Sequence, residues 1–194
     1  MHIPELHTER LTLTLPPPSA ARRFVTFVRK NKEHFAPWDP PADPAIETTD
    51  YWSRRLANSR REFQQGVSCR FAMFDRDNHV DGEVIGLVSL SNFVRGALQQ
   101  ATMGYKIAKR FEGRGLMRET LDEVVRFAFE DLCLHRVSAN YQPINERSGA
   151  LLRRLGFVVE GYARDYLFVG GGWKDHVLTA RVNPAWRPLP NDVR

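Results

Sequence analysis

Apolar and polar positions alternate with two periods along this chain, and the switches between them outline its elements. Residues 9–15 (ERLTLTL) alternate every second position, the pattern of a half-buried strand, and Pro16-Pro17-Pro18 closes it. From Ser19, read as an N-cap, to about Lys30 the apolar residues Phe24, Val25, Phe27 and Val28 recur at helical spacing. Residues 34–44 (HFAPWDPPADP) hold four prolines and predict irregular chain. A second helix opens near Thr49-Asp50, buries Trp52, Leu56 and Phe63, and ends at Gly66. Strands follow at 69–74 and 83–90, joined by the turn Asp75-Arg76-Asp77-Asn78, with a third at 101–107.

The period then returns to helical. From Gly115 to about Leu132 the stripe Met117, Leu121, Val124, Val125, Ala128 and Leu132 faces a core, while Arg118, Glu119, Asp122, Glu123 and Arg126 face water. Residues 135–141 form another strand. Pro143-Ile144-Asn145 leads into a short helix that buries Leu151, Leu152 and Leu155 and stops at Gly156. Strands at 157–169 and 173–182 flank Gly170-Gly171-Gly172. The order β-α-α-β-β-β-α-β-α-β-β describes an α/β sandwich without internal repeats. With 194 residues it is expected to be one domain over 8–188, followed by a short disordered tail at 189–194.

Composition adds exclusions. With 42% hydrophobic and 26% charged residues, the chain matches an ordinary soluble globular protein. Its two cysteines, Cys69 and Cys133, are far apart and lack CxxC partners, which argues against a disulfide framework or zinc site and suits a reducing cytoplasm. Six histidines lack ligand spacing, so no metal is expected. No apolar run has the length of a membrane span, and the N-terminus lacks the apolar core of a signal peptide. A net charge of +5 suits an acidic ligand, company with nucleic acid, or equally a merely soluble basic surface; no basic run interleaved with aromatics marks a direct DNA reader.

The most specific local pattern is Arg110-Phe111-Glu112-Gly113-Arg114-Gly115, an R-x-x-G-x-G that opens the long helix directly after a strand. Glycines let backbone approach an anion closely, and the helix start adds unpaired N–H donors and the positive dipole end. Arg110, Arg114 and Arg118 add full charges. On spacing alone, a pyrophosphate cradle and an ordinary strand-to-helix loop with solvated arginines fit equally. The pattern is neither a Walker loop, since Leu116-Met117 follows Gly115, nor a dinucleotide fingerprint, since Arg118 stands where the third glycine belongs.

Order and motif together resemble the GNAT acetyltransferases, whose R/Q-x-x-G-x-G/A binds acetyl-CoA. Within them the chain resembles the ribosomal-protein alanine N-acetyltransferases of RimJ type. The carrying segments are HFAPWDP (34–40), IGLVSLSNFVRG (85–96), GYKIAKRFEGRGLM (104–117), ANYQPINERSGALLRRLGF (139–157), EGYARDYL (160–167) and GGWKDHVLTA (171–180). The resemblance implies a GNAT acyl-CoA N-acyltransferase fold, a mixed central sheet of about seven strands splayed between the fourth and fifth and flanked by about four helices. It implies a cytoplasmic enzyme that moves acetyl from acetyl-CoA, without a metal, to the α-amino group of an N-terminal alanine. The implied partner is a small-subunit ribosomal protein, free or in an assembling subunit. The alternatives are a small-amine or antibiotic acetyltransferase, and a ribosome-assembly factor that binds acetyl-CoA with vestigial activity.

The same resemblance assigns candidate residues. Cofactor contacts fall to Tyr105, Lys106 and Ile107 on the splayed strand, to Arg110, Gly113, Arg114, Gly115, Leu116, Met117 and Arg118 in the loop and helix start, and to Asn145, which is also placed as an N-cap. Ser148 is the first catalytic candidate, as a hydrogen-bond donor to the sulfur. Many relatives carry N-x-x-A-x-x-x-Y here, but this chain has Ser148 for the alanine and Leu152 for the tyrosine. Tyr141 is the second candidate, either assisting in the cleft or serving as a core tyrosine. Phe35 and Trp38 are expected to wall the acceptor tunnel, with Asn92 and Arg95 holding acceptor backbone. No general base is legible: Glu83, Glu160, Asp165 and Asp175 read first as solvated or salt-bridged carboxylates, and Glu119 as a complement to the helix dipole.

Overall fold

Eight strands form one sheet in the order β1-β2-β3-β4-β5-β6-β8-β7, in a computed structural model that describes residues 2–41, 43–79 and 81–187. The strands are β1 (Glu5–His7), β2 (Leu11–Thr14), β3 (Cys69–Asp75), β4 (Gly86–Val94), β5 (Gln100–Ile107), β6 (Arg136–Tyr141), β7 (Val158–Val169) and β8 (Gly172–Val182). The helices are α1 (Ala21–Phe35), α2 (Thr49–Gln64), α3 (Leu116–Glu130) and α4 (Glu146–Arg154). All neighbours run antiparallel except β5 and β6, which are parallel and joined through α3.

Strand alternation divides the interior into two cores. On one face Leu13, Phe71, Val88, Leu90, Ala101 and Met103 pack against Leu121, Val124 and Val125 of α3 and Leu152 of α4. On the other, Ala72 and Phe74, with Leu87 beside them, meet Phe24 and Phe27 of α1 and Trp52 and Leu56 of α2. The buried stripes of α2 and α3 follow the predicted period, except that α3 ends at Glu130 and Leu132, expected to close its stripe, lies half-buried beyond it. Thr48 caps α2 through Tyr51 N, and Gly66 after it takes φ +68°.

Four details differ from the sequence reading. β1 is additional, too short at three residues to show a period, so the splayed pair expected at strands four and five is β5 and β6; β1 also precedes the expected start at residue 8. Ser19 does not cap α1: it sits in a 3-10 turn, Pro18–Ala20, and no side chain caps the helix. α1 runs on to Phe35 because Asn31, a polar break in the stripe, is buried with both ends of its amide used; Nδ2 donates to Phe27 O at 2.8 Å and Oδ1 accepts from Lys109 N at 3.0 Å. The strand expected from Glu83 begins at Gly86, although Val84 and Ile85 already enter opposite cores. Cys69 is buried and Cys133 half-buried, both as free thiols. The expected tail at 189–194 lies outside the described residues, as does Pro188 at the end of the expected domain.

Candidate active site

The sheet opens where the parallel pair β5 and β6 comes apart. β5 and β6 pair at Gln100↔Arg136, Ala101↔Val137 and Thr102↔Ser138, and no further. From Met103 to Ile107, β5 keeps β4 on one side and presents a free edge on the other. One continuous cleft of about 1430 Å³ runs through this gap, from Leu116 and Ser148 on the α3/α4 face to Trp38, Trp52 and Arg70 on the α1/α2 face.

At one mouth lies the glycine loop. Gly113 and Gly115 take φ +74° and +78°, backbone that L side chains rarely adopt, and a Cβ on Gly113 would meet open space. Gly115 is the N-cap of α3 and no side chain caps that helix. The N–H groups of Leu116, Met117 and Arg118 therefore lack acceptors from their own helix and stand beside the cleft. Such a cradle fits a pyrophosphate.

Bracing comes from residues distant in sequence. Arg10 donates from Nη1 to Arg114 O at 2.9 Å and from Nε to Glu119 Oε2 at 2.8 Å, and its own N–H reaches Glu119 Oε1 at 2.8 Å. Glu112 accepts from Arg147 of α4 at 2.8 Å and lies 3.5 Å from His34 Nε2 of α1.

In the gap itself, the Tyr105 hydroxyl lies 2.6 Å from Ser148 Oγ. Asn145 Oδ1 accepts from Ser148 N at 3.1 Å, so Asn145 is the N-cap of α4 and fixes the serine in the first turn. Burial pushes the Tyr105 phenol up to about 12, with the Ser148 hydrogen bond acting in the opposite direction. Tyr141 lines the cleft with its ring against Gly149, where a Cβ would fall 2.7 Å from the ring.

Beyond the gap, Phe35 and Trp38 form part of an aromatic wall. Lys106 reaches across to Asp39 Oδ2 at 2.6 Å and passes 4.8 Å from the centre of the Phe35 ring. The Trp38 loop is pinned by the β7–β8 hairpin: Gly170 N donates to Asp39 O at 2.9 Å, and a Cβ on Gly170 would fall 2.7 Å from Pro37 O.

The structure thus brings Phe35, Trp38, Tyr105, Lys106, Ile107, Gly113, Gly115, Leu116, Met117, Arg118, Tyr141, Asn145 and Ser148 to one cleft. It does not bring four other candidates there. Arg110 turns away to pair with Glu83 and lines a separate cavity of about 660 Å³ beside α1. Arg114 contributes its carbonyl to Arg10, and its guanidinium lies 5.4 Å from the Phe111 ring centre. Asn92, at φ +53°, and Arg95 stand at the closed end of the β5–β6 pair, where Arg95 donates to Leu132 O at 2.8 Å.

None of the four doubtful carboxylates lines the cleft, and three of them are engaged elsewhere. Glu83 pairs with Arg110, Glu160 with Arg136, and Asp175 accepts from Tyr162 and from Asp165 N. Asp39, the Tyr105 hydroxyl and Arg10 went unread in the sequence because their partners lie tens of residues away, and Arg70 because the turn after α2 brings Glu62 back to it. Among the described residues no three His, Cys, Asp or Glu side chains gather as a metal-ligand set, and no helix is long and apolar enough to cross a membrane.

Comparison with known proteins agrees with this geometry. Residues 10–158 match the acetyltransferase (GNAT) domain family. The chain is 40% identical over 183 residues to the [ribosomal protein uS5]-alanine N-acetyltransferase of Escherichia coli K12, covering 94% of this chain and 93% of that one. The crystal structure of ribosomal-protein-S5-alanine acetyltransferase from Vibrio fischeri superposes with a TM-score of 0.89 at 32% identity, over 95% of this chain and 100% of that one. Mycobacterium smegmatis RimJ, solved with CoA-disulfide, gives 0.82 at 27% identity, over 93% and 86%. By sequence, by fold and by its parted parallel strands, the chain belongs to the GNAT acetyltransferase family.

Proposed function

We propose that this protein transfers the acetyl group of acetyl-CoA to the α-amino group of an N-terminal alanine on a small-subunit ribosomal protein in the cytoplasm. The observation that carries the reading is the single cleft joining an anion cradle to an aromatic-walled chamber through the β5–β6 gap. The 40% identity to the E. coli uS5-alanine enzyme supports the choice of acceptor.

The residues divide the work. The first-turn N–H groups of α3, with Gly113 and Gly115, suit the pyrophosphate. The free edge of β5 at Tyr105, Lys106 and Ile107 suits amide groups that pair like a strand, and Met103–Ile107 offers an N–H to a developing oxyanion. Acetyl-CoA bound there supplies a thioester carbonyl and a thiol leaving group of pKa about 8.5. Ser148 is a poor acid by itself. A phenol is the better donor of the pair, so Tyr105 donates to Ser148 Oγ and leaves the serine proton free to turn toward the departing sulfur. An α-amine titrates at roughly 7.7–8.0, so a fair share is neutral near pH 7 and a strong base is not required. Phe35 and Trp38 guide the acceptor; Asn92 and Arg95 have no part in this reading.

The test is a thiol-release assay with acetyl-CoA and alanine-terminated peptides, with mass measurement of the product. A gain of one acetyl group at the terminus is expected. Acetylation of small amines with every peptide left unmodified would replace this reading with a small-amine acetyltransferase.

A further inference from the structure

The acceptor side of the cleft ends in charge that nothing in the chemistry above uses. Across the sheet, Arg70 of β3 pairs with Ser89 of β4, and Ser89 with Gly104 of β5, so the three share one row and one face. At a strand spacing of about 4.8 Å, Arg70 stands roughly 10 Å from Gly104 and the gap. Gly104 and Ser89 leave the floor between them low. Over that floor, α2 presents Trp52, Arg55, Leu56 and Ser59 to the same cleft.

The polar groups at this end are incompletely matched. Arg55 Nη1 lies 3.4 Å and Arg70 Nη2 3.2 Å from a single carboxylate, Glu62, which also accepts from Ser68 Oγ at 2.7 Å. Two guanidinium groups thus share one carboxylate. Arg70 Nε and Ser59 Oγ are buried with no hydrogen-bond partner among the described residues, and Ser59 is only 5% exposed. Buried donors left unpaired cost stability, and both residues line the cleft. Burial first, and Arg55 second, lower the Arg70 pKa, with Glu62 acting in the opposite direction. On the same face Lys106 is matched by Asp39, whereas Arg55 and Arg70 have one carboxylate between them.

We propose that Arg55, Arg70 and Ser59 form an acceptor subsite for a carboxylate, the side chain of an Asp or Glu close behind the acceptor's α-amine. The proposal rests on the cleft being the entry for a polypeptide N-terminus. With the amine at the gap, an extended chain advancing about 3.3 Å per residue brings roughly its third or fourth residue beside Arg70. Guanidinium–carboxylate pairing in a half-buried site discriminates charge, because the wrong partner leaves both sides unmatched.

The experiment compares alanine-terminated peptides carrying Glu, Gln or Lys at the third or fourth position, with the wild-type protein and with Arg70→Gln and Arg70→Glu. The wild type is expected to prefer Glu over Gln by about tenfold in kcat/KM and to use Lys least, with a preference that shrinks as salt rises. Arg70→Gln brings the Glu/Gln ratio near one, and Arg70→Glu turns the preference toward Lys. Equal kcat/KM for the three peptides with the wild type overturns the subsite without any variant, as does a Glu preference that survives Arg70→Glu. If no alanine-terminated peptide of any charge is acetylated while a small amine is, the polypeptide reading itself has failed and the subsite falls with it.

Discussion

The hydroxyls of Tyr105 and Ser148 meet at 2.6 Å across 43 residues of chain, tying the free edge of β5 to the first turn of α4. They act as one unit, so their removal is expected to be non-additive. Ser148→Ala should lower kcat by roughly 10²-fold, within the range of a positioned proton donor, and Tyr105→Phe by less. In the Ser148→Ala background, Tyr105→Phe should then cost little. Steady-state thiol release on the four proteins measures the coupling, and fully additive losses would separate the two groups.

The same tyrosine carries a pH signature. Its pKa rises from an ordinary 10.0 to about 12 in the folded protein, so the folded state holds the proton more tightly than the unfolded chain. The stability it contributes is complete below pH ~10 and is lost as pH rises through about 12. Denaturant unfolding at a series of alkaline pH values should show a steeper loss for wild type than for Tyr105→Phe in that window. Identical slopes would mean that burial does not hold this phenol.

Arg10, just before β2, holds the glycine loop. Arg10→Ala should raise the KM for acetyl-CoA several-fold, with a smaller effect on kcat, and Arg10→Lys should restore part of the affinity because the fork to Glu119 and Arg114 needs a guanidinium. The pair is partly exposed, so its stability effect should not exceed about 1 kcal/mol. Burial raises the Glu119 pKa, but hydrogen bonds from Thr8 and Arg10 outweigh it and hold the carboxyl below its ordinary value. A depressed folded pKa contributes stability above the unfolded value and loses it as pH falls. The gap between wild type and Arg10→Ala should accordingly close below about pH 4.

Gly149 sits where the ring of Tyr141 passes over α4. Alanine in a helix ordinarily gains up to about 1 kcal/mol over glycine. Here its Cβ would fall 2.7 Å from Cε2 and 3.0 Å from Oη of Tyr141, so Gly149→Ala should instead destabilise by about 1–3 kcal/mol. Adding Tyr141→Ala should recover part of the loss. Equilibrium denaturation decides the sign.

Most elements were legible because their signals are local. The stripe of Met117, Leu121, Val124, Val125 and Ala128 is set by 3.6 residues per turn, and all five are buried as the spacing requires. The cleft was legible in part: Gly113, Gly115, Asn145 and Ser148 stand together in short motifs, and a motif keeps its geometry wherever the sheet carries it. Arg110 and Arg95 could not be assigned by such reasoning. Whether an arginine faces an anion or a carboxylate depends on neighbours brought by sheet order, and here those are Glu83 and, for Arg95, the Leu132 carbonyl.

The sequence by itself therefore determined the helix stripes, most strands and the glycine turn that opens α3, since backbone period and glycine conformation need no distant partner. Only the tertiary structure decided where the sheet parts, that Tyr105 serves Ser148, that Arg10 braces a loop 104 residues away, and that Arg55 and Arg70 share one carboxylate at the end of the cleft. Those contacts, most of them between elements remote in the chain, are fixed by which elements lie side by side and by the hydrogen bonds and charges that burial then requires to be matched.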